Sequence, residues 1–77
     1  MTAINDAATA ATAAADNLTA LAYAQQTSVL HFQANQAHNL AASAWLAVGT
    51  PTAKQSYHNN LASVHLTSAI QLRTAGR

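Results

Sequence analysis

Apolar and small residues recur along this chain at steps of three and four, the spacing that keeps side chains on one face of a helix. One stripe runs through Ile4, Ala7, Ala11, Ala14, Leu18, Leu21, Gln25, Val29, Phe32, Gln36 and Leu40. A second runs through Thr2, Asn5, Thr9, Thr12, Asp16, Thr19, Tyr23 and Thr27, then Leu30, Ala34, Ala37, Ala41, Ala44 and Val48. It is mainly short and polar up to Thr27 and apolar from Leu30 onward. Both stripes hold register over about residues 2–48, so the pattern predicts one long first helix. Its weak point is Asp16 and Asn17, residue types that prefer caps to helix interiors. A break there gives the alternative architecture, a three-helix bundle.

The breakers cluster at Gly49, Thr50 and Pro51. Gly suits the left-handed position that ends a helix, Thr caps the next, and Pro fits a first turn, so a tight turn is expected here. Thr52 with Gln55 offers a shifted cap. A second helix over about 51–75 follows, ended by Gly76. The expected fold is therefore an all-α helical hairpin, a single domain over residues 1–77. Its second helix reaches back to about residue 25, so 24–77 form the hairpin and 1–23 a projecting arm. Leu30, Ala34, Ala37, Ala41 and Val48 are expected to pack against Leu61 and Val64 within the hairpin. Ile4, Leu18, Leu21, Val29, Phe32 and Leu40, with Leu66 and Ile70 on the outer side of the second helix, are left over for an interface.

Composition sharpens that expectation. Alanine supplies 21 of the 77 residues, which favours helix, whereas Leu, Ile, Val and Phe together supply 14, a thin core for a chain of this size. Cysteine is absent, so neither a disulfide nor a thiolate metal site can staple the fold. Association with further copies, or with another helical protein, is the remaining remedy. A helical, self-assembling structural or adaptor subunit is the reading that follows, its neutral surface suiting a virion, filament or secreted assembly.

Charge and motif exclude more than they suggest. The charged residues are Asp6, Asp16, Lys54, Arg73 and Arg77, with no basic stripe able to follow a nucleic-acid backbone. No run reaches the roughly 18 to 20 apolar residues of a membrane span. The beginning, with an acid at Asp6, lacks the form of a Sec signal peptide, and no motif indicates a compartment. There is no Cys, no paired carboxylate and no Gly-rich phosphate loop, so no enzymatic activity is expected.

Two features carry candidate chemistry. His31 and His38 lie seven residues apart, as do His58 and His65, placing each pair on one helix face and the four in alternation along a similar range of heights of a folded hairpin. Facing imidazoles could bind a divalent metal or haem; they could equally sense pH, since four protonations raise the formal charge from +1 to +5. The second feature is the row Thr2, Thr9, Thr12, Thr19 and Thr27 on a charge-poor, Ala-rich helix. It resembles the alanine-rich helical antifreeze proteins, a likeness that implies an ice-binding helix, although the steps here are seven, three, seven and eight.

Overall fold

The computed structural model describes residues 3–49 and 52–77, Thr52 by its backbone alone. These residues form three α-helices: α1 (Ala3–Gln25), α2 (Ser28–Val48) and α3 (Thr52–Thr74). The chain is therefore all-α, as expected, but the long first helix is two helices. The break lies at Gln26 and Thr27 and not at Asp16 and Asn17, which sit inside α1.

The turn between α1 and α2 contains no Gly or Pro. Gln26 takes a left-handed conformation (φ 51°) while its N–H still donates to the Ala22 carbonyl at 2.8 Å. Thr27 is extended (φ −112°, ψ 147°) and caps α2, its Oγ1 accepting from the Leu30 N–H at 3.4 Å. A left-handed non-glycine residue costs about 1 to 2 kcal/mol. That cost is sustained by what the reversal brings together: α1, instead of projecting as an arm, lies antiparallel on α2.

The two other helix ends are closed by the glycines that the pattern singles out. Gly49 (φ 77°) ends α2, its N–H donating to the Leu46 carbonyl at 3.1 Å. Gly76 (φ 82°) ends α3 in a Schellman arrangement, with Gly76 N–H on the Arg73 carbonyl and Arg77 N–H on the Leu72 carbonyl. The Arg77 carbonyl then accepts from the N–H of Ser28, so the end of α3 docks on the first turn of α2. The Thr50 cap, the Pro51 start and the Thr52 side chain lie outside the described residues. Substituting Gly49 by Ala meets no neighbour within 4 Å, so only the backbone conformation is penalised. Gly49→Ala should lower the unfolding free energy by about 1 kcal/mol in urea titrations; an unchanged midpoint would show that the left-handed turn is dispensable.

The helices pack as a slender bundle of 44 × 18 × 12 Å (Cα extents) with α2 in the middle. Ala8, Ala15 and Ala22 of α1, Ala34, Ala41 and Ala42 of α2, and Ala62 and Ala69 of α3 are all buried; Trp45 is the single large apolar residue among the buried side chains described. Small side chains at seven-residue steps allow the backbones to approach α2 closely from both sides. Asn35 clamps one side, its amide donating to the Ala62 carbonyl at 2.7 Å. Between α1 and α3 the Cα traces stay more than 8 Å apart among the described residues, and the gap is bridged by side chains.

Candidate functional site

What fills that gap is polar. His31, His38 and His65 have no exposed surface and His58 almost none. They reach these positions because His31, His38 and Trp45 lie at seven-residue steps along α2, His58 and His65 along α3, and Thr12 and Thr19 along α1. On helices, a seven-residue step returns to nearly the same face about 10 Å further on. Three rows of such steps therefore meet at matched heights down the bundle axis.

The contacts form one continuous ladder. Trp45 Nε1 donates to Thr12 Oγ1 at 2.8 Å, and Thr12 Oγ1 lies 3.4 Å from His58 Nε2. His58 Nδ1 faces His38 Nδ1 at 2.9 Å, and His38 Nε2 meets Thr19 Oγ1 at 2.7 Å. Thr19 Oγ1 continues to His65 Nε2 at 3.1 Å, His65 Nδ1 to His31 Nδ1 at 2.8 Å, and His31 Nε2 to Gln26 Oε1 at 3.1 Å. Both ring nitrogens of all four histidines are thus engaged. The rings also stack: His38 and His65 are 5.5 Å apart with planes 9° from parallel, and His38 and His58 are 5.2 Å apart at 29°. Tyr23 covers the His31 and His65 end, Tyr57 packs edge-on against His58, and Lys54 Nζ sits 4.0 Å above the Trp45 ring.

Four neutral imidazoles suffice to fill this ladder. It has seven links. Trp45, the two threonine hydroxyls and four neutral imidazoles supply one proton each, which makes seven. Every link is filled if the donors all point from Trp45 towards Gln26, which puts the proton on Nδ1 of His58 and His65 and on Nε2 of His38 and His31. The Thr12 hydroxyl has an alternative acceptor, the Ala8 carbonyl at 3.0 Å. When it turns there, the ladder is filled in the opposite sense, with all tautomers exchanged and Gln26 presenting its amide N–H. All four histidines are neutral in both senses.

The electrostatics agree with the count. Burial holds the pKa of each histidine below its ordinary value of 6.5. A positive charge on His58 would lower His38 further, and charges on His31 and His38 would lower His65. Asp16 acts in the opposite direction on His38 and His58.

Comparison with known proteins gives no match to a family model, a curated protein or a solved structure. The site is therefore read from its geometry alone.

The four histidines singled out in the sequence are brought together, whereas Thr12, Thr19, Gln26 and Trp45 complete the site without having been expected in it. Of the residues expected at an interface, Ile4, Leu21, Val29, Leu40, Leu66 and Ile70 are exposed, and Leu18 and Phe32 are half-buried. Of those expected in the hairpin, Ala34 and Ala41 are buried and Leu30, Ala37, Val48 and Leu61 half-buried; Val64 instead faces outward, 47% exposed, because α3 turns His58, Ala62 and His65 inward. As to metal binding, no group of three or more candidate ligands is arranged for it among the described residues. The paired Nδ1 atoms are at hydrogen-bond distance, while two nitrogens on one tetrahedral zinc stand about 3.3 Å apart given Zn–N bonds near 2.05 Å. No pocket for a haem opens beside the rings among the described residues.

Proposed function

We propose that this protein is a non-enzymatic helical subunit, structural or adaptor-like, that works by associating with further copies of itself. The observation that carries this reading is the inversion of inside and outside. Imidazoles, hydroxyls and alanines fill the interior, while Ile4, Leu21, Tyr23, Val29, Leu40, Leu46, Tyr57, Val64, Leu66 and Ile70 are each at least 40% exposed. Burying such residues is worth about 1.5 to 3 kcal/mol per side chain, a gain that one copy leaves unrealised. Few charges oppose close approach. Val29 and Leu40, eleven residues apart on the free side of α2, share one face and form the most exposed apolar pair, at 62% and 66%.

The test is molar mass by light scattering behind a sizing column. The parent chain should run as a discrete oligomer, and Leu40→Asp or Val29→Asp should shift it at least tenfold in association constant towards the monomer while leaving helix content unchanged. A parent chain of monomeric mass at millimolar concentration would overturn the reading. An ice-binding role has less support, because Thr12 and Thr19 are turned into the ladder and Thr27 caps α2. A metal or haem role has less support because every imidazole nitrogen already has a hydrogen-bond partner.

A further inference from the structure

The ladder has room for one proton beyond the neutral state and no more. With the Thr12 hydroxyl turned to the Ala8 carbonyl and Gln26 presenting Oε1, a single imidazole can donate through both nitrogens, whereas a second doubly protonated ring must aim an N–H at another N–H. A positive ring buried among alanines also loses its hydration without gaining a counter-ion in contact. The charged and titratable groups around it are few: Asp16 and Tyr23 on α1, Tyr57 on α3, Lys54 over Trp45, and the other three histidines. Asp16 eases protonation of His38 and His58, but its side chain is on the exposed side of α1, and among the groups acting on the rings it is the one carboxylate.

The same ladder is the material that joins α1 to α3. Thr12 to His58 and Thr19 to His65 are side-chain hydrogen bonds between them, across a gap that the backbones do not close among the described residues. We propose that the ladder is a proton-operated latch: α1 and α3 stay drawn together around α2 only while no more than one imidazole is charged, and uptake of a second proton releases the bundle as a unit. Release then exposes the remaining imidazoles, which charge in their turn. This inference goes beyond the assembly reading and does not depend on it, since every link lies within one chain.

The sign of the effect follows from linkage. As the pH falls, the unfolded chain, with histidines near 6.5, takes up protons before the folded one does, because the folded pKa values are lowered by burial. Stability is therefore fully present above about pH 6.5 and is lost as the pH descends through the lowered folded values. The shape of the transition separates a latch from four independent histidines. Within a bundle that remains closed, a proton on one ring repels the next, so titration would be shallower than that of a single group. If the bundle opens, several protons enter together and the transition is steeper than for one proton.

The experiment follows Trp45 fluorescence and near-ultraviolet circular dichroism of the full chain from pH 8 to pH 4 at several protein concentrations. The nitrogen-15 shifts of the four imidazoles are recorded at pH 8. The latch predicts a single transition below pH 6.5 with a slope of two or more protons, both in the parent chain and in the association-deficient Leu40→Asp variant; in the parent the midpoint falls as concentration rises, because association stabilises the closed bundle. At pH 8 it predicts neutral rings of alternating tautomer, His58 and His65 of one kind and His31 and His38 of the other. Four separate, shallow titrations with tertiary structure retained at pH 4 would overturn it, as would four rings of the same tautomer or a chain already open at pH 8. Loss of the transition in the Leu40→Asp variant, with its tertiary structure retained at pH 4, would assign the pH response to contacts between copies and would likewise overturn the latch.

Discussion

Thr19→Val should cost about 2 to 5 kcal/mol of stability at pH 8, the largest effect expected of any exchange of a threonine hydroxyl for a methyl group in this chain. The substitution keeps shape and volume, so packing is nearly unchanged. What it removes is the oxygen between His38 Nε2 at 2.7 Å and His65 Nε2 at 3.1 Å. Two nitrogens are then stranded in the interior, each at about 1 to 3 kcal/mol for a buried polar atom left without a partner. A chain of this length has only roughly 4 to 12 kcal/mol in total, so the loss is a large part of it. Thr9 provides the contrast: its hydroxyl is exposed and bonds only the Asn5 carbonyl, and Thr9→Val should change stability by no more than about 0.5 kcal/mol. Thr19→Ser, which restores an oxygen, should recover most of the loss. Urea denaturation of the three variants decides the matter. Equal midpoints for Thr19→Val and Thr9→Val would mean that the ladder contributes nothing to the closed state.

Why Thr19 is decisive could not be read from hydrophobicity. In an ordinary amphipathic helix the apolar residues mark the inner face, and by that rule Ile4, Leu21, Val29 and Leu40 belong inside. Here they are outside, and the row containing Thr12 and Thr19, which reads as a solvent face, is the inner one. The usable signal was the seven-residue step shared by unlike residues: Ala8, Ala15 and Ala22; Thr12 and Thr19; His31, His38 and Trp45; Ala62 and Ala69. For the histidines that step was legible, and it placed the four in alternation along a similar range of heights. The turn at Gln26 was not, since glutamine rarely takes a left-handed conformation and Gly and Pro are absent from the neighbourhood. Its choice has a physical rationale in the folded state alone. The Gln26 side chain terminates the ladder on His31 Nε2, on the opposite side of the ring from His65. Gly49 and Gly76, by contrast, act locally, and their roles followed from sequence.

Replacing the ladder as a whole should have the opposite effect from breaking it at one point. Any single His→Leu change strands two partners, and on that basis the individual costs at His31, His38, His58 and His65, added to those of Thr12→Val and Thr19→Val, exceed about 10 kcal/mol, as much as the fold possesses. The atoms stranded by one change are, however, the atoms removed by the next, so the costs cannot add. A variant carrying all six changes together with Trp45→Phe leaves only Gln26 without its former partner, and Gln26 is half-exposed and within reach of water. Leucine approximates histidine in volume, and an apolar core of that size contributes about 1.5 to 3 kcal/mol per buried side chain. The sevenfold variant should therefore be at least as stable as the parent at pH 8, and more stable by several kcal/mol at pH 5. There the parent loses its lowered-pKa contribution and the variant has no histidine left to protonate. Urea midpoints at the two pH values measure both statements at once. A variant that unfolds more readily than the parent at pH 8, or that keeps the parent's loss of stability on acidification, would show that the ladder is a source of net stability or that the pH response originates elsewhere. The expected result instead makes the ladder costly to keep, which is the behaviour of an element retained for its response to protons and for the register it imposes on three helices whose inner faces are otherwise interchangeable rows of alanine.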